Sequence, residues 1–158
     1  MSFSASLVRV LPMVVASRRV AGDPHHVSRA FLEVAEWLKE RELITRPWIG
    51  VFDDVAGGGT HVDPHSGQMH GEVWIPFEGE ARGDGQVEVR AVEAHTVASA
   101  LHQGDVSRVG DTVRELKSWM KSMGLRGAAR HRQIYLRVVA GAPTDQGWET
   151  EVQIPLAE

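Results

Sequence analysis

The chain contains an internal repeat, and this repeat limits the folds that are open to it. Residues 15–43 match residues 97–125 when the sequence is moved forward by 82 positions. The identical pairs include Ser17 and Ser99, Gly22 and Gly104, Asp23 and Asp105, Glu33 and Glu115, and Trp37 and Trp119. Two copies of one unit predict a pseudo-two-fold axis with a groove along it, where a ligand could bind.

A second match defines the limits of the two copies. Residues 72–76 correspond to residues 151–155 at an offset of 79, so the elements correspond while the loops between them differ in length. The glycine-containing stretch 78–86 lies between the copies. We therefore predict one domain over residues 1–158, with copy one at about 7–77 and copy two at about 87–156.

Each copy is predicted to be a β-α-β-β unit. One apolar face of a helix that begins at Asp23-Pro24 is formed by Val27, Phe31, Val34 and Leu38. Each of these four residues has an apolar counterpart 82 positions later. The predicted strands are Leu7–Val20, Trp48–Val55, His70–Phe77, Val87–His102, Arg132–Val139 and Trp148–Leu156. This pattern predicts an α+β fold with antiparallel sheets, each covered by one helix, and a central ligand groove.

Composition excludes several classes of function. The net charge of −4 argues against direct binding of nucleic acid. The absence of cysteine excludes thiol catalysis and thiolate metal sites, and it fits a reducing compartment. The apolar stretch Val10–Ser17 contains Pro12 and is too short to cross a membrane or to serve as a signal peptide. We expect a cytoplasmic protein without a cofactor.

Aromatic and polar residues on the predicted strands are the candidates for the groove. The predicted ligand-binding residues are Phe52, His70, Trp74, Gln133, Tyr135 and Trp148. Aromatic rings at these positions favour a hydrophobic or aromatic small molecule as the partner. The competing interpretation is that the rings pack the core, and we favour it for Trp37 and Trp119 on the helices.

Two carboxylates and a histidine-rich loop are the candidates for chemistry. Glu149 and Glu151 are predicted catalytic residues, as general acid or base, although strand carboxylates are more often only solvated. The spacing of His61, Asp63, His65 and His70 resembles a metal site, but the loop is glycine-rich and lacks a helical spacing. We predict no metal site.

The order and spacing of several motifs resemble the GyrI-like small-molecule-binding domain, which is also the effector-binding module of many AraC-type and MerR-type regulators. The motifs of copy two are Glu93–Ala98 leading to His102-Gln103-Gly104, Leu116–Met120 with Gly124-Leu125, Ile134–Leu136, and Thr150–Pro155. Copy one matches more loosely through Leu11-Pro12, Gly22, Trp37-Leu38 and Gly50–Phe52. No helix-turn-helix segment precedes the first strand, so we expect a free-standing member.

The resemblance implies the duplicated fold and the binding of drugs or aromatic compounds in the groove. Some members sequester toxins, and others hydrolyse reactive cyclopropane-bearing natural products. Two positions depart from the family pattern. Gln133 stands where a glutamate often contacts cationic ligands, and Asp105-Val106 replaces a Pro-Tyr pair.

Three functions therefore remain open on the sequence. They are a small-molecule-binding protein for sequestration or sensing, a hydrolase that uses a groove carboxylate, and a module that contacts a macromolecular partner, as the gyrase-inhibiting namesake of the family does.

Overall fold

The computed structural model describes residues 3–22, 24–53, 69–128, 130–137 and 147–157. The strands are β1 (Ala5–Val10), β2 (Met13–Gly22), β3 (Ile44–Thr45), β4 (Ile49–Asp53), β5 (Met69–Glu78), β6 (Glu88–Val92), β7 (His95–Gln103), β8 (Arg130–Arg137) and β9 (Glu149–Pro155). The helices are α1 (Pro24–Glu40) and α2 (Val109–Ser122), and a 3₁₀ turn at Val106–Arg108 precedes α2. No helix in these ranges is long and apolar enough to cross a membrane.

The strands form one antiparallel sheet, which confirms the predicted α+β class. Their order within the described residues is β1-β7-β9-β8-β4-β5-β2-β6, with β3 beside β5. The prediction of separate sheets was wrong, because β4 of copy one pairs directly with β8 of copy two. Gly50 pairs with Gln133 in this central junction.

The two long predicted strands are each divided in the structure. The first breaks at Leu11-Pro12 into β1 and β2, and the second breaks at Glu93-Ala94 into β6 and β7. Proline has no backbone N–H to donate to a neighbouring strand, so a break at Pro12 is expected. At the second break, the Glu93 carbonyl and the His95 ring nitrogen Nδ1 lie 2.7 Å apart and tighten the turn.

The divided strands pair across the two copies. β1 pairs with β7 through Val10 and His95, and β6 pairs with β2 through Val92 and Met13. These two pairings are related by the same 82-residue offset as the sequence repeat. The agreement is compatible with a duplicated unit, which remains an inference from the sequence.

The short connections between these strands require the sheet to curl. β6 and β7 lie far apart in the strand order, yet only Glu93-Ala94 joins them, and this link spans at most about 10 Å. The sheet is a curled half-barrel with a groove-like shape. Its inner face, defined by Val15, Trp74, Val97 and Ile134, is buried, and its apolar residues form a cluster of their own.

Both helices pack on the opposite face, which we call the helix face. Helix α1 packs on β2 and β5, and α2 packs on β7 and β9. All eight residues of the predicted apolar stripes are buried, as expected: Val27, Phe31, Val34, Leu38, Val109, Val113, Leu116 and Met120. Gly124, with a φ of 71°, follows the end of α2 in the left-handed conformation that glycine favours.

The tryptophans of the two helices contribute to packing, as predicted. Trp37 is buried in the α1 cluster, and its Nε1 donates to Asp84 at 2.9 Å. Trp119 packs against the α2 cluster. Asp105 accepts a hydrogen bond from the Ser107 N–H at 2.9 Å and so caps the 3₁₀ turn before α2. The corresponding residue of copy one, Asp23, lies outside the described residues.

Candidate functional site

The centre of the helix face lies between the two helices. Val152, Gln133, Gly50 and Val73 are directly paired in one row across β9, β8, β4 and β5. Directly paired residues project from the same face of a sheet, so Gln133 shares this face with the apolar residues beneath α1 and α2. Strands β4 and β8 therefore form the floor of a cleft whose walls are the two helices.

The polar centre of this floor is a chain of hydrogen bonds along β8. The Tyr135 hydroxyl donates to Gln133 Oε1 at 3.1 Å, and Gln133 Nε2 lies 3.2 Å from His131 Nε2. Because the amide nitrogen can only donate, His131 Nε2 is the acceptor in this contact. Gln133 is only 1% exposed, and its amide carries no charge. Burial raises the pKa of Tyr135, so its hydroxyl stays protonated at physiological pH.

One wall of the cleft is aromatic. The Phe31 ring from α1 stacks on Trp48 with centroids 5.0 Å apart, and its edge meets Tyr135 at 5.8 Å. Tyr135 is further held by its backbone N–H, which donates to the Trp48 carbonyl at 3.0 Å. A Cβ on Gly50 would lie 2.5 Å from the Phe52 ring and would clash with it. Glycine at this position therefore lets the Phe52 ring lie over the neighbouring strand residue.

The β9 side of the floor carries two buried polar atoms that have no partner in the described part of the chain. Thr150 is paired with Tyr135, and Trp148 continues the same register because its carbonyl accepts from the Gly104 N–H at 2.9 Å. Trp148 Nε1 and Thr150 Oγ1 are buried and have no hydrogen-bond partner among the described residues. A buried polar group without a partner costs about 1–3 kcal/mol, and a bound ligand or water can supply the missing bond.

These residues define the interhelical cleft: Trp48, Phe52, His131, Gln133, Tyr135, Trp148 and Thr150. Phe52, Gln133, Tyr135 and Trp148 were among the predicted binding residues. Trp48, His131 and Thr150 were missed. The last two could have been found from strand alternation, because each is two positions away from a predicted residue.

The other predicted site residues lie on the inner face. Trp74 pairs with Ile49 and Glu151 pairs with Ile134, which places both side chains on the side of the sheet opposite to Gln133. His70 and Glu149 share this side by alternation with Trp74 and Glu151. The eight predicted residues therefore cannot line a single groove. His61, Asp63 and His65 lie outside the described residues.

Two carboxylates of the inner face, Glu72 and Glu151, already have partners. Glu151 Oε2 accepts from Ser99 at 2.8 Å and from Gln153 at 2.9 Å. Glu72 is 5% exposed and binds Arg90 and Arg130 through its two oxygens. Burial alone would raise the pKa of Glu72, but the hydrogen bond from Arg130 and the charge of Arg90 outweigh it and lower this pKa.

The fold is similar to those of several solved structures. The C-terminal domain of EcmrR superposes with a TM-score of 0.82 at 15% identity, covering 100% of this chain and 99% of the other. A hydrolase encoded by lin2189 from Listeria innocua gives a TM-score of 0.69 at 17% identity, covering 97% and 91%. SAV2435 bound to tetraphenylphosphonium gives 0.57 at 10% identity, covering 99% and 94%.

Sequence comparison completes the assignment. No curated protein matches the chain in sequence. A family model does match it over residues 6–157, which includes both helices and every described strand except the first residue of β1. The chain belongs to the GyrI-like small molecule binding domain family.

Proposed function

We propose that this chain binds a neutral, hydrophobic or aromatic small molecule in the interhelical cleft, and that it serves to sequester or to sense that molecule. Membership of a small-molecule-binding family supports ligand binding in general. The observation that carries the finer proposal is the pair of buried polar atoms without described partners, Trp148 Nε1 and Thr150 Oγ1, beside an aromatic wall.

The chemistry of the cleft indicates what the ligand should contain. Flat rings would be accommodated by the Phe31, Trp48 and Tyr135 side chains, because aromatic pairs favour stacked and edge-to-face contacts. A hydrogen-bond acceptor on the ligand would satisfy the Trp148 indole N–H, which can only donate. Gln133 is uncharged where the family often has a glutamate, which favours a neutral ligand over a cation.

Two probes of similar shape test this proposal. Triphenylphosphine oxide is neutral and carries a strong oxygen acceptor, whereas tetraphenylphosphonium is a cation without one. We expect the neutral probe to bind more tightly, measured by quenching of tryptophan fluorescence. Trp148→Ala should weaken its binding by about 1–3 kcal/mol, through loss of a large apolar contact and a hydrogen bond.

The controls separate the cleft from the rest of the protein. Trp148→Phe keeps an aromatic ring but lacks the N–H, so it should recover only part of the affinity. Trp119→Phe, on α2 outside the cleft, should bind the probe like the original chain. Equal affinity of Trp148→Ala, Tyr135→Ala and the original chain would place the ligand site elsewhere.

Hydrolysis is the second candidate function, and the Listeria innocua hydrolase of similar fold favours it. In the sequence-based mechanism Glu149 or Glu151 donates a proton to a strained electrophile, water adds as the strained bond breaks, and the proton released by this water returns to the carboxylate. Both residues project from the inner face, while the aromatic cleft lies on the helix face. A hydrolase using these carboxylates would therefore have to bind its substrate on the inner face.

Glu149→Gln and Glu151→Gln test this alternative directly. Each change keeps the shape of the side chain and removes the acid. If the protein binds its ligand without turning it over, neither change alters the affinity for triphenylphosphine oxide, and no cyclopropane-bearing electrophile is consumed by the original chain. Consumption of such a compound by the original chain, abolished in one variant, would establish the hydrolase instead.

A further inference from the structure

The inner face holds a buried arginine, Arg132, that has no carboxylate partner among the described residues. Arg132 lies on β8 between Val51 of β4 and Gln153 of β9, and only 7% of its surface is exposed. Arginine side chains are seldom buried to this extent unless they are paired. Among the described residues, no carboxylate forms an ion pair with Arg132.

The described hydrogen bonding of Arg132 leaves most of its donors unused. Its Nη1 lies 2.7 Å from His95 Nε2, and His95 Nδ1 lies 2.7 Å from the Glu93 carbonyl. A guanidinium can only donate and a carbonyl can only accept, so His95 Nε2 accepts from Arg132 and His95 Nδ1 donates to the Glu93 carbonyl. The Arg132 Nε and Nη2 atoms form no hydrogen bond with the described residues.

The carboxylates of Glu72, Asp53 and Glu151 are bound by groups other than Arg132. The two oxygens of Glu72 are bound by Arg90 and Arg130, and Arg130 also binds Asp53. Arg132 therefore has no share in the described carboxylates next to it. Burial, together with the charge of Arg130, lowers the pKa of Arg132 to about 10. An anion bound here would compensate the buried charge.

The ring of Trp74 completes the surroundings of this guanidinium. The Arg132 Cζ atom lies 5.0 Å from the centre of the Trp74 ring, and Arg90 approaches the same ring at 5.6 Å. Trp74 is 4% exposed and forms part of the apolar cluster of the inner face. A guanidinium held against an aromatic ring keeps its edge donors free for a planar or tetrahedral oxyanion.

We propose that the inner face binds a small oxyanion, a carboxylate or a phosphate group, on the guanidinium of Arg132 against the Trp74 ring. This site lies on the opposite side of the sheet from the interhelical cleft. Its occupant is therefore a second ligand, or an anionic group of a partner, and not the hydrophobic molecule of the cleft. The proposal does not depend on the function proposed for the cleft.

Anion-dependent stability of the complete chain tests the proposal. Thermal unfolding is followed while sodium phosphate or sodium acetate replaces sodium chloride at constant ionic strength. A ligand that binds only the folded state raises the melting temperature with its concentration. We expect a saturable rise with at least one of the two anions, and the anion that saturates at the lower concentration identifies the ligand class.

Substitutions assign the effect to Arg132. Arg132→Gln should abolish the saturable rise, and Arg132→Lys should weaken half-saturation by about tenfold, because an ammonium lacks the forked donors of a guanidinium. Arg137→Gln, an exposed arginine on the same strand, is the matched control and should respond like the original chain. Binding of triphenylphosphine oxide in the cleft should survive Arg132→Gln.

Two results would overturn the proposal. The first is a rise in melting temperature that does not saturate, or that is equal in Arg132→Gln and the original chain, since both indicate a general salt effect. The second applies even if Arg132→Gln does not fold. In the original chain, phosphate or acetate must shift the side-chain Nε–H resonance of Arg132 in a ¹H–¹⁵N spectrum, and a resonance that neither anion moves excludes the site.

Discussion

Leu116→Ala is expected to lower the free energy of unfolding by about 2–5 kcal/mol, the range for truncation of a buried leucine. Leu116 is fully buried at the middle of the apolar face of α2. It belongs to the cluster that includes Ala98 and Val152 of the sheet below. Shortening it removes apolar contacts and leaves a cavity that the strands can only partly fill. Urea unfolding followed by circular dichroism measures the change.

An exposed leucine on the other helix is the matched control. Leu32 of α1 is 63% exposed, so Leu32→Ala should change the free energy of unfolding by about 0.5 kcal/mol or less. Phe31→Ala should be about as costly as Leu116→Ala, but it also removes part of the cleft wall. Similar small losses in Leu116→Ala and Leu32→Ala would mean that the apolar face of α2 has been assigned wrongly.

The helices could be predicted because their information is local. The spacing of Val109, Val113, Leu116 and Met120 defines one face of a helix, and the same spacing recurs 82 positions earlier. Alternation likewise located the strands that follow each helix. Because burial of an amphipathic helix requires one covered sheet face, the α+β class followed from these patterns.

The long strands and the single sheet were harder to predict because they depend on pairing between distant residues. Residues 7–20 are apolar on both sides of Pro12, so composition does not show that β1 leaves β2 and pairs with β7. Composition likewise does not show that β6 leaves β7 and pairs with β2 at the opposite edge of the sheet. Once the pairing is known, the short connections Leu11-Pro12 and Glu93-Ala94 force the sheet to curl.

The same limit explains why the predicted site residues lie on both faces of the sheet. Alternation tells which residues of one strand share a face, but it does not say which face of the next strand corresponds to it. Trp74 and Tyr135 were therefore assigned to one groove, although the register places them on opposite sides of the sheet. The sequence did not predict that Arg132 is buried, because a lone arginine in a strand is usually exposed.

Gln133→Glu should reverse the ligand preference of the cleft. The introduced carboxylate would occupy a position that is 1% exposed, at the floor of an aromatic cleft. In such a place the attraction between a carboxylate and a cationic ligand is only weakly screened. We expect tetraphenylphosphonium to bind the variant about tenfold more tightly or better, and triphenylphosphine oxide to bind it less tightly. Fluorescence titration measures both.

The same substitution should make stability depend on pH. Burial should raise the pKa of the new carboxyl in the folded protein above its unfolded value of about 4.3. The folded state then holds its proton at a pH where the unfolded state has released it, so the variant loses stability as pH rises above that value. Below it, the variant and the original chain should differ little in their response to pH.

Tetraphenylphosphonium distinguishes the effect of the new carboxylate on stability from a general loss of stability. At neutral pH the cation should recover part of the stability that Gln133→Glu loses, because it binds the ionised carboxylate of the folded state. Gln86→Glu adds the same charge at an exposed position and should show neither the pH dependence nor the tighter binding. If both variants bind the cation equally, the residue at position 133 does not select the charge of the ligand, and the choice of a neutral ligand must rest on Trp148 and Thr150 alone.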